Sequence, residues 1–431
     1  MGIIRGDKVK KIDGIKIVII LLISIICLIL IIFDYKNNEI NREIENEQLK
    51  EEKISNIKSH YSKYVKTISE TDLYALENDE YKSVGKLGNV ELILDEIEID
   101  ENSEYFKINN FDSDYYVLFN TVTPIDELST KGEREERYKN YIPFNENVIT
   151  KDVTKLYKDD NLVYELPESL SLPIIIKDDD KIYVEYQDAL FYVSKSEIDS
   201  TTYNHNTDKT NIDGIPTLVY HFVYTEGVDP CDQIICNSTT QIQSHIDYLK
   251  SENYFTPTMK EFEMYIDGKL QLPKSVMITV DDGWYSGNAR DIFTNNKMNA
   301  TIFVITSIYD PKPLVTDYVE VHSHGDNLHK QGVCPGGQGG GIKCLDKSVL
   351  LADLKTSSEK TLNSTVFCYP FYEYNDYAIS VLKEAGYTMA FAGEYAGGQY
   401  KMTVGADKYI IPRFTLLSDS SVNYLKTILN K

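Results

Sequence analysis

The chain has 431 residues, enough for two or three domains at about 100–200 residues each. Acidic residues number 67 against 44 basic ones, and the formal net charge of −23 excludes a general polyanion binder, nucleic acid included. Apolar content of 42% excludes global disorder, and 33 Tyr beside 1 Trp suits half-buried strands or sugar-facing surfaces.

Ile17–Phe33 is an uncharged apolar run, about 25 Å long as a helix and enough to cross a thin bilayer. Arg5, Lys8, Lys10, Lys11 and Lys16 precede it against Asp7 and Asp13, and the segment after it is rich in Glu and Asn. The positive-inside rule makes residues 1–16 a cytoplasmic tail, 17–33 a single membrane anchor, and the remainder extracellular. Phe33-Asp34-Tyr35-Lys36 offers no small-residue cleavage site, so the anchor reads as uncleaved. Residues 34–83, with scattered Ile40, Ile44, Leu49 and Ile54, read as a helical or loose stalk.

Residues 84–205 change to a β-rich pattern. Val90–Leu94, Tyr115–Phe119 and Lys181–Tyr186 read as short strands, with turn clusters such as Lys177–Asp180 between them. Leu172–Ile198 is weakly similar to bacterial SH3-like modules. This region carries no recognisable chemistry and serves either as a spacer or as a contact with cell wall.

From 212 to 431 strands alternate with helices, which argues a (β/α) barrel or an open α/β sheet. Thr217–Tyr220, Val276–Val280, Thr301–Thr306, Tyr318–Val321, Thr365–Tyr369 and Tyr409–Phe414 read as strands. Helices are expected after Ser238-Thr239-Thr240-Gln241, a capping-box signature, and over Asp291–Asn296, Lys347–Leu362, Tyr377–Ala385 and Ser420–Leu429. Cys231/Cys236 and Cys334/Cys344 are locally spaced pairs, expected as disulfides in an oxidising compartment, and they leave Cys368 over.

Thr279-Val280-Asp281-Asp282-Gly283 ends a strand, and at that edge of a β/α fold active sites are built. Alone, Asp-Asp-Gly is an ordinary turn; as chemistry, one carboxylate can bind a cation while its neighbour moves a proton. Three of the 7 His fall in His322-Ser323-His324-Gly325-Asp326-Asn327-Leu328-His329, also after a strand. His324 and His329 would be about 140° apart on a helix, so they converge only from a loop. One Asp and two His leave coordination positions open, the layout of a catalytic divalent site. No G-x-S-x-G or H-E-x-x-H occurs, and Gly-rich Pro335–Gly341 lacks the G-K-[ST] of a phosphate loop.

Together these segments resemble the NodB-homology polysaccharide deacetylases over residues 212–431. Ile215-Pro216-Thr217-Leu218-Val219-Tyr220-His221 resembles the opening of the branch acting on poly-N-acetylglucosamine. Thr279–Gly283 resembles the T-F-D-D-G motif with Val280 for Phe, and His324 to His329 the five-spaced second motif with Gly325 for Ser or Thr. That replacement is expected to lose a hydrogen bond orienting the loop. Phe367-Cys368-Tyr369-Pro370-Phe371 resembles the third motif without its Arg, and Ile411-Pro412-Arg413 a late Arg-bearing strand.

The resemblance implies a distorted (β/α) barrel and a metal-dependent N-deacetylase of an envelope N-acetylglucosamine polymer, either peptidoglycan or poly-N-acetylglucosamine. It implies that Asp282, His324 and His329 hold a divalent ion, Zn²⁺ or similar, and that Asp281 is the base. His221 becomes the acid, a backbone N–H near Phe371 stabilises the oxyanion, and Arg413 orients or charge-tunes Asp281. His322 is a bystander. The competing readings are an O-acetyl esterase and an inactive carbohydrate-binding protein; no protein partner is indicated.

Overall fold

The structure is a computed structural model that describes residues 14–61, 63–99, 104–203 and 213–431. Arg5, Lys8, Lys10 and Lys11, on which the orientation argument rests, lie outside the described residues, as does most of the expected cytoplasmic tail.

Gly14–His60 is one helix of 47 residues. No Pro interrupts it, and after Gly14 no Gly does, so nothing in the sequence breaks it at the end of the apolar run. Its Ile17–Phe33 apolar side chains are exposed, and it is long and apolar enough to cross a membrane. The helix continues through the charged part of the stalk, but strands start at Tyr64, earlier than the change in composition at 84 suggests.

The chain divides into two compact units. The first takes the described residues up to Thr130 together with Asp159–Pro167. Its strands are all antiparallel, in the order 161–166, 80–87, 71–77, 115–118, 104–108, 91–99, 64–67, 122–125. Alternate residues point inward, so Val65, Leu73, Leu87, Leu92, Phe106 and Val117 form its dry face. Gly85 lets the 161–166 strand come close: a Cβ there would sit 2.0 Å from the Glu165 carbonyl oxygen.

The second unit comprises Lys131–Lys158 and Glu168–Lys431. A small antiparallel sheet within it includes Ser171–Lys177, Lys181–Tyr186 and Ala189–Ser194 as a meander. This sheet belongs with the α/β region. Ile176 bridges Leu270, and Tyr138, Tyr141 and Ile175 share a core with Phe262, Met277 and Phe391. Arg137 forks onto Glu261 at 2.6 and 2.7 Å, and the Tyr141 hydroxyl donates to the same carboxylate. The residues 84–205, expected as one or two small β domains, are shared between the two units.

The α/β region is a distorted barrel of parallel strands. Ile215–Tyr224 pairs with Met277–Val280, followed by Ala300–Val304, Val319–Ser323, Val366–Cys368 and Met389–Phe391. A bridge from Phe391 to Ile411 and the pairing of Phe414–Thr415 with Leu218–Val219 close the ring. The strand expected over Tyr409–Phe414 is thus reduced to fragments, because Pro412 supplies no N–H to a ladder. Helices Thr239–Ser251, Met259–Ile266, Ser286–Asn295, Lys347–Lys360, Asp376–Glu384 and Val422–Leu429 accompany the strands. Ser238 caps the first of these through the Gln241 N–H, as its sequence predicts. The second has a full capping box of Thr258 and Glu261, a signal that sequence reasoning passed over. The 286–295 helix starts earlier than expected, after Tyr285 at φ 57°. Both expected disulfides, Cys231–Cys236 and Cys334–Cys344, are present.

Candidate active site

Parallel strands bring their C-terminal ends to one edge, and the chemistry-bearing residues gather there. His221 lies near the end of the Ile215–Tyr224 strand, and Asp281 and Asp282 follow Val280 directly. His324 follows the Val319–Ser323 strand, and Phe371 and Tyr372 come shortly after Val366–Cys368. Asp282 has φ 74°, a left-handed conformation that Asp tolerates better than most residues. Gly283 follows at φ 100°, where a Cβ would meet the Tyr309 ring at 2.7 Å. This sharp turn aims the two neighbouring carboxylates in different directions.

The Asp282 Oδ1 atom lies 3.3 Å from His324 Nε2 and 3.2 Å from His329 Nε2. Metal–ligand bonds of about 2.0–2.2 Å put tetrahedral edges at roughly 3.3–3.6 Å, close to these two distances, and all three donor atoms lie within 4.8 Å of one another, so the set could hold one ion. The His324 Nδ1–H donates to the Cys368 carbonyl at 2.9 Å, which turns its Nε2 toward Asp282. His329 is held down to about 4 by burial and by His324, so it is a neutral donor at physiological pH. It arrives from a loop: Gly325, at φ 79°, turns the chain, and Leu328 is buried beneath. The hydrogen bond expected to be lost with Gly325 has a substitute that the sequence did not reveal. The Asp353 carboxylate accepts the N–H groups of Asp326 and Asn327 at 2.8 and 2.7 Å.

Asp281 looks the other way. Arg413 forks onto it, Nη1 to Oδ1 at 2.7 Å and Nη2 to Oδ2 at 2.9 Å. The Arg413 side chain is fully buried, and its Nε donates to the Ala392 carbonyl. Burial alone would raise the Asp281 carboxyl, but Arg413, with His324 and His221, more than offsets that and holds it well below the usual carboxylate range. A second set of potential ligands, Asp281, His324 and Cys368, also lies close together. It is already satisfied, since the Cys368 thiol donates to Asp281 Oδ2 at 3.3 Å and accepts from Arg413 Nη2 at 3.0 Å.

His221 is 8% exposed, and its Nε2 lies 3.8 Å from Asp281 Oδ2. Burial lowers its pKa against the opposing pull of Asp281 and Asp282. Phe371, at φ 58°, lays its ring 4.3 Å from the His329 ring. His322 faces away from the cluster, with Nδ1 2.6 Å from Ser364 Oγ. Trp284, 51% exposed, stands with Phe222 at a ring distance of 5.5 Å, beside Asp282 and His221 in the chain.

Sequence reasoning missed three members of this cluster. Asn237 fixes the His221 backbone N–H at 2.9 Å, Cys368 touches both Asp281 and Arg413, and the Tyr372 hydroxyl reaches His221. Tyr372 sits one residue past the third motif, and only its place beside Phe371 offered a signal.

A family model described as polysaccharide deacetylase matches residues 269–390. A poly-β-1,6-N-acetyl-D-glucosamine N-deacetylase of Staphylococcus aureus is 31% identical over 214 residues, covering 44% of this chain and 70% of that protein. Among solved structures, a de-N-acetylase from Aggregatibacter actinomycetemcomitans has 21% identity and a TM-score of 0.43, covering 50% of this chain and 100% of that one. IcaB from Ammonifex degensii has 19% identity and a TM-score of 0.44, covering 52% of this chain and 99% of that one.

Proposed function

The chain belongs to the polysaccharide deacetylase family, and from that membership we propose that it removes N-acetyl groups from an N-acetylglucosamine polymer of the cell envelope. The observation that carries this reading is the division of labour between adjacent residues: Asp282 faces two imidazoles while Asp281 faces one buried Arg. A turn of structural carboxylates would not need two opposite environments.

Asp282, His324 and His329 are the residues that would hold Zn²⁺ or a similar divalent ion. Such an ion, when bound, polarises the acetamide carbonyl and eases deprotonation of a water. Asp281 takes the water's proton, and Arg413 keeps that carboxylate ionised and aimed. His221 delivers a proton to the departing amine nitrogen, so that acetate and a free amine leave. The Phe371 backbone N–H contributes to holding the oxyanion. Trp284 and Phe222 offer an aromatic surface for a sugar ring. The apolar Ile17–Phe33 segment anchors the enzyme, and the basic residues before it put the catalytic region outside the cell. Poly-β-1,6-N-acetylglucosamine is the preferred substrate, on the strength of the Staphylococcus aureus relative.

The test uses the full-length chain in detergent, supplied with Zn²⁺, and measures acetate released from poly-β-1,6-N-acetylglucosamine, from peptidoglycan and from an O-acetylated glycan. Release from an N-acetylated polymer is expected, and release from the O-acetylated glycan alone would replace the amidase by an esterase. Elemental analysis is expected to find the metal lost in His324→Ala and His329→Ala and kept in His322→Ala. Full occupancy in both of the first two variants would sink the ligand assignment.

A further inference from the structure

His221 is held oddly for a group that must present one nitrogen to a leaving atom. Its Nδ1 has no hydrogen-bond partner among the described residues, although the side chain is buried. No carboxylate or carbonyl pins the ring from behind, so its orientation depends on the Nε2 side. Two groups stand there, Asp281 Oδ2 at 3.8 Å and the Tyr372 hydroxyl at 3.4 Å. Thr415 Oγ1 donates to that same hydroxyl at 3.1 Å, and the phenolic oxygen keeps a lone pair for the Nε2–H of protonated His221, the proton that the acid must deliver.

The seat of Tyr372 is built at some cost. Its φ is 60°, directly after Phe371 at 58°, and the left-handed region is a true outlier for a bulky side chain. Such strain persists where the surroundings over-determine it, and it runs from observation to a hypothesis of function. Gly393 makes room, because a Cβ there would lie 3.0 Å from Tyr372 Cβ. On another side the Arg413 guanidinium lies 5.2 Å from the centre of the Tyr372 ring. The ring is thus wedged between the strand edge and the Arg that holds Asp281. Its hydroxyl is delivered to His221 by an arrangement that a merely space-filling side chain would not require.

We infer that Tyr372, with Thr415 behind it, is the positioning residue that aims His221 Nε2 at the leaving nitrogen. This rests on the deacetylase reading above. Catalytic hydrogen bonds are often long before substrate binds and tighten in the complex, so 3.4 Å is compatible with this role. Tyr372 transfers no proton in this scheme; it restricts the ring that does.

The experiment separates proton donation from folding by the choice of leaving group. An N-acetylglucosamine oligomer expels an amine that must be protonated, whereas 4-nitrophenyl acetate expels a stable phenolate that need not be. In the full-length chain with Zn²⁺, Tyr372→Phe is expected to lower kcat on the oligomer about tenfold or more. That stays below the roughly 10²–10⁴-fold worth of the acid itself. KM is expected to hold within about twofold and the aryl ester to be hydrolysed as by the wild type. Thr415→Val is expected to show the same pattern at smaller size, and it decides the matter if Tyr372→Phe does not fold. Equal losses on both substrates, or an unchanged kcat on the oligomer, would overturn the role of Tyr372. A wild-type enzyme that hydrolyses the ester and releases no acetate from any N-acetylated oligomer would overturn the deacetylase reading, and this inference with it.

Discussion

The two compact units bury very different side chains. In the first, the described polar side chains that are buried are Thr67 and Thr71. In the second they include His221, Asp281, Asp282, His324 and Arg413. An antiparallel sheet alternates its residues between two faces, so one face can be wholly apolar and the other wet. A ring of parallel strands sends successive strand ends to one edge, where polar side chains from distant parts of the chain meet. Buried charge is costly unless paired, so its concentration at that edge marks where the fold gives up stability for chemistry. Glu261 shows that burial alone is not the mark of a site. Its carboxylate is fully occupied by Arg137, Tyr141 and the Thr258 N–H, and it joins a loop to a helix.

The sharpest break in this contrast comes from one substitution in each unit. Asp281→Asn is expected to lower kcat by about 10²–10⁴-fold with KM little changed and the metal retained. Thr67→Val, which leaves the Val90 N–H without its acceptor, is expected to cost about 1–3 kcal/mol of stability and to leave kcat unaltered. Acetate release below the melting temperature and thermal unfolding, measured on both variants, check this. An Asp281→Asn enzyme at near wild-type rate would end the assignment of the base.

Arg413→Met probes the same edge through stability. Removing one partner of a buried pair costs about 3–5 kcal/mol, because the Asp281 carboxylate is left uncompensated. Without Arg413, burial pushes the Asp281 carboxyl up from its depressed position, which weakens its hold on the ionised form that the base needs. Denaturant unfolding and acetate release are both expected to fail together in this variant. A stable Arg413→Met protein that still releases acetate at near wild-type rate would show that Cys368 and His221 suffice to hold Asp281.

Much of the site was legible because strand ends and turn residues are local. Asp281, Asp282, His324 and His329 follow recognisable strands, and the structure brings them together. The companions of those residues were not legible. Asp353 holds the backbone of the loop that carries His329 from a helix, Thr415 comes from a two-residue strand, and Tyr372 reaches His221 from a backbone conformation that its residue type disfavours. Nothing in a linear pattern links positions so far apart. For the fold, periodicity located the strands, but it missed the break that Pro412 makes before Phe414. It also could not show that residues 131–158 leave the first β unit, since that depends on side-chain contacts such as Arg137 with Glu261.

The smallest effect concerns His322, which lies two residues before His324 and seven before His329, yet outside the cluster. Burial pushes its pKa down to about 4, and its Nε2 has no hydrogen-bond partner among the described residues. An unfolded His titrates near 6.5, so between about 6.5 and 4 the unfolded chain binds more protons than the folded one. The stabilisation is therefore complete above about pH 6.5 and is lost as the pH falls toward 4. At pH 5 the linkage amounts to at most about 2 kcal/mol. His322→Gln keeps an amide oxygen for Ser364 and removes the titration. The variant is expected to turn over normally at pH 7 and to lose fewer degrees of melting temperature than the wild type between pH 7 and pH 5. Acid sensitivity persists in part, because burial also lowers His221 and His245. Identical melting losses in variant and wild type would show that His322 is not buried neutral, and a loss of bound metal in His322→Gln would return it to the site.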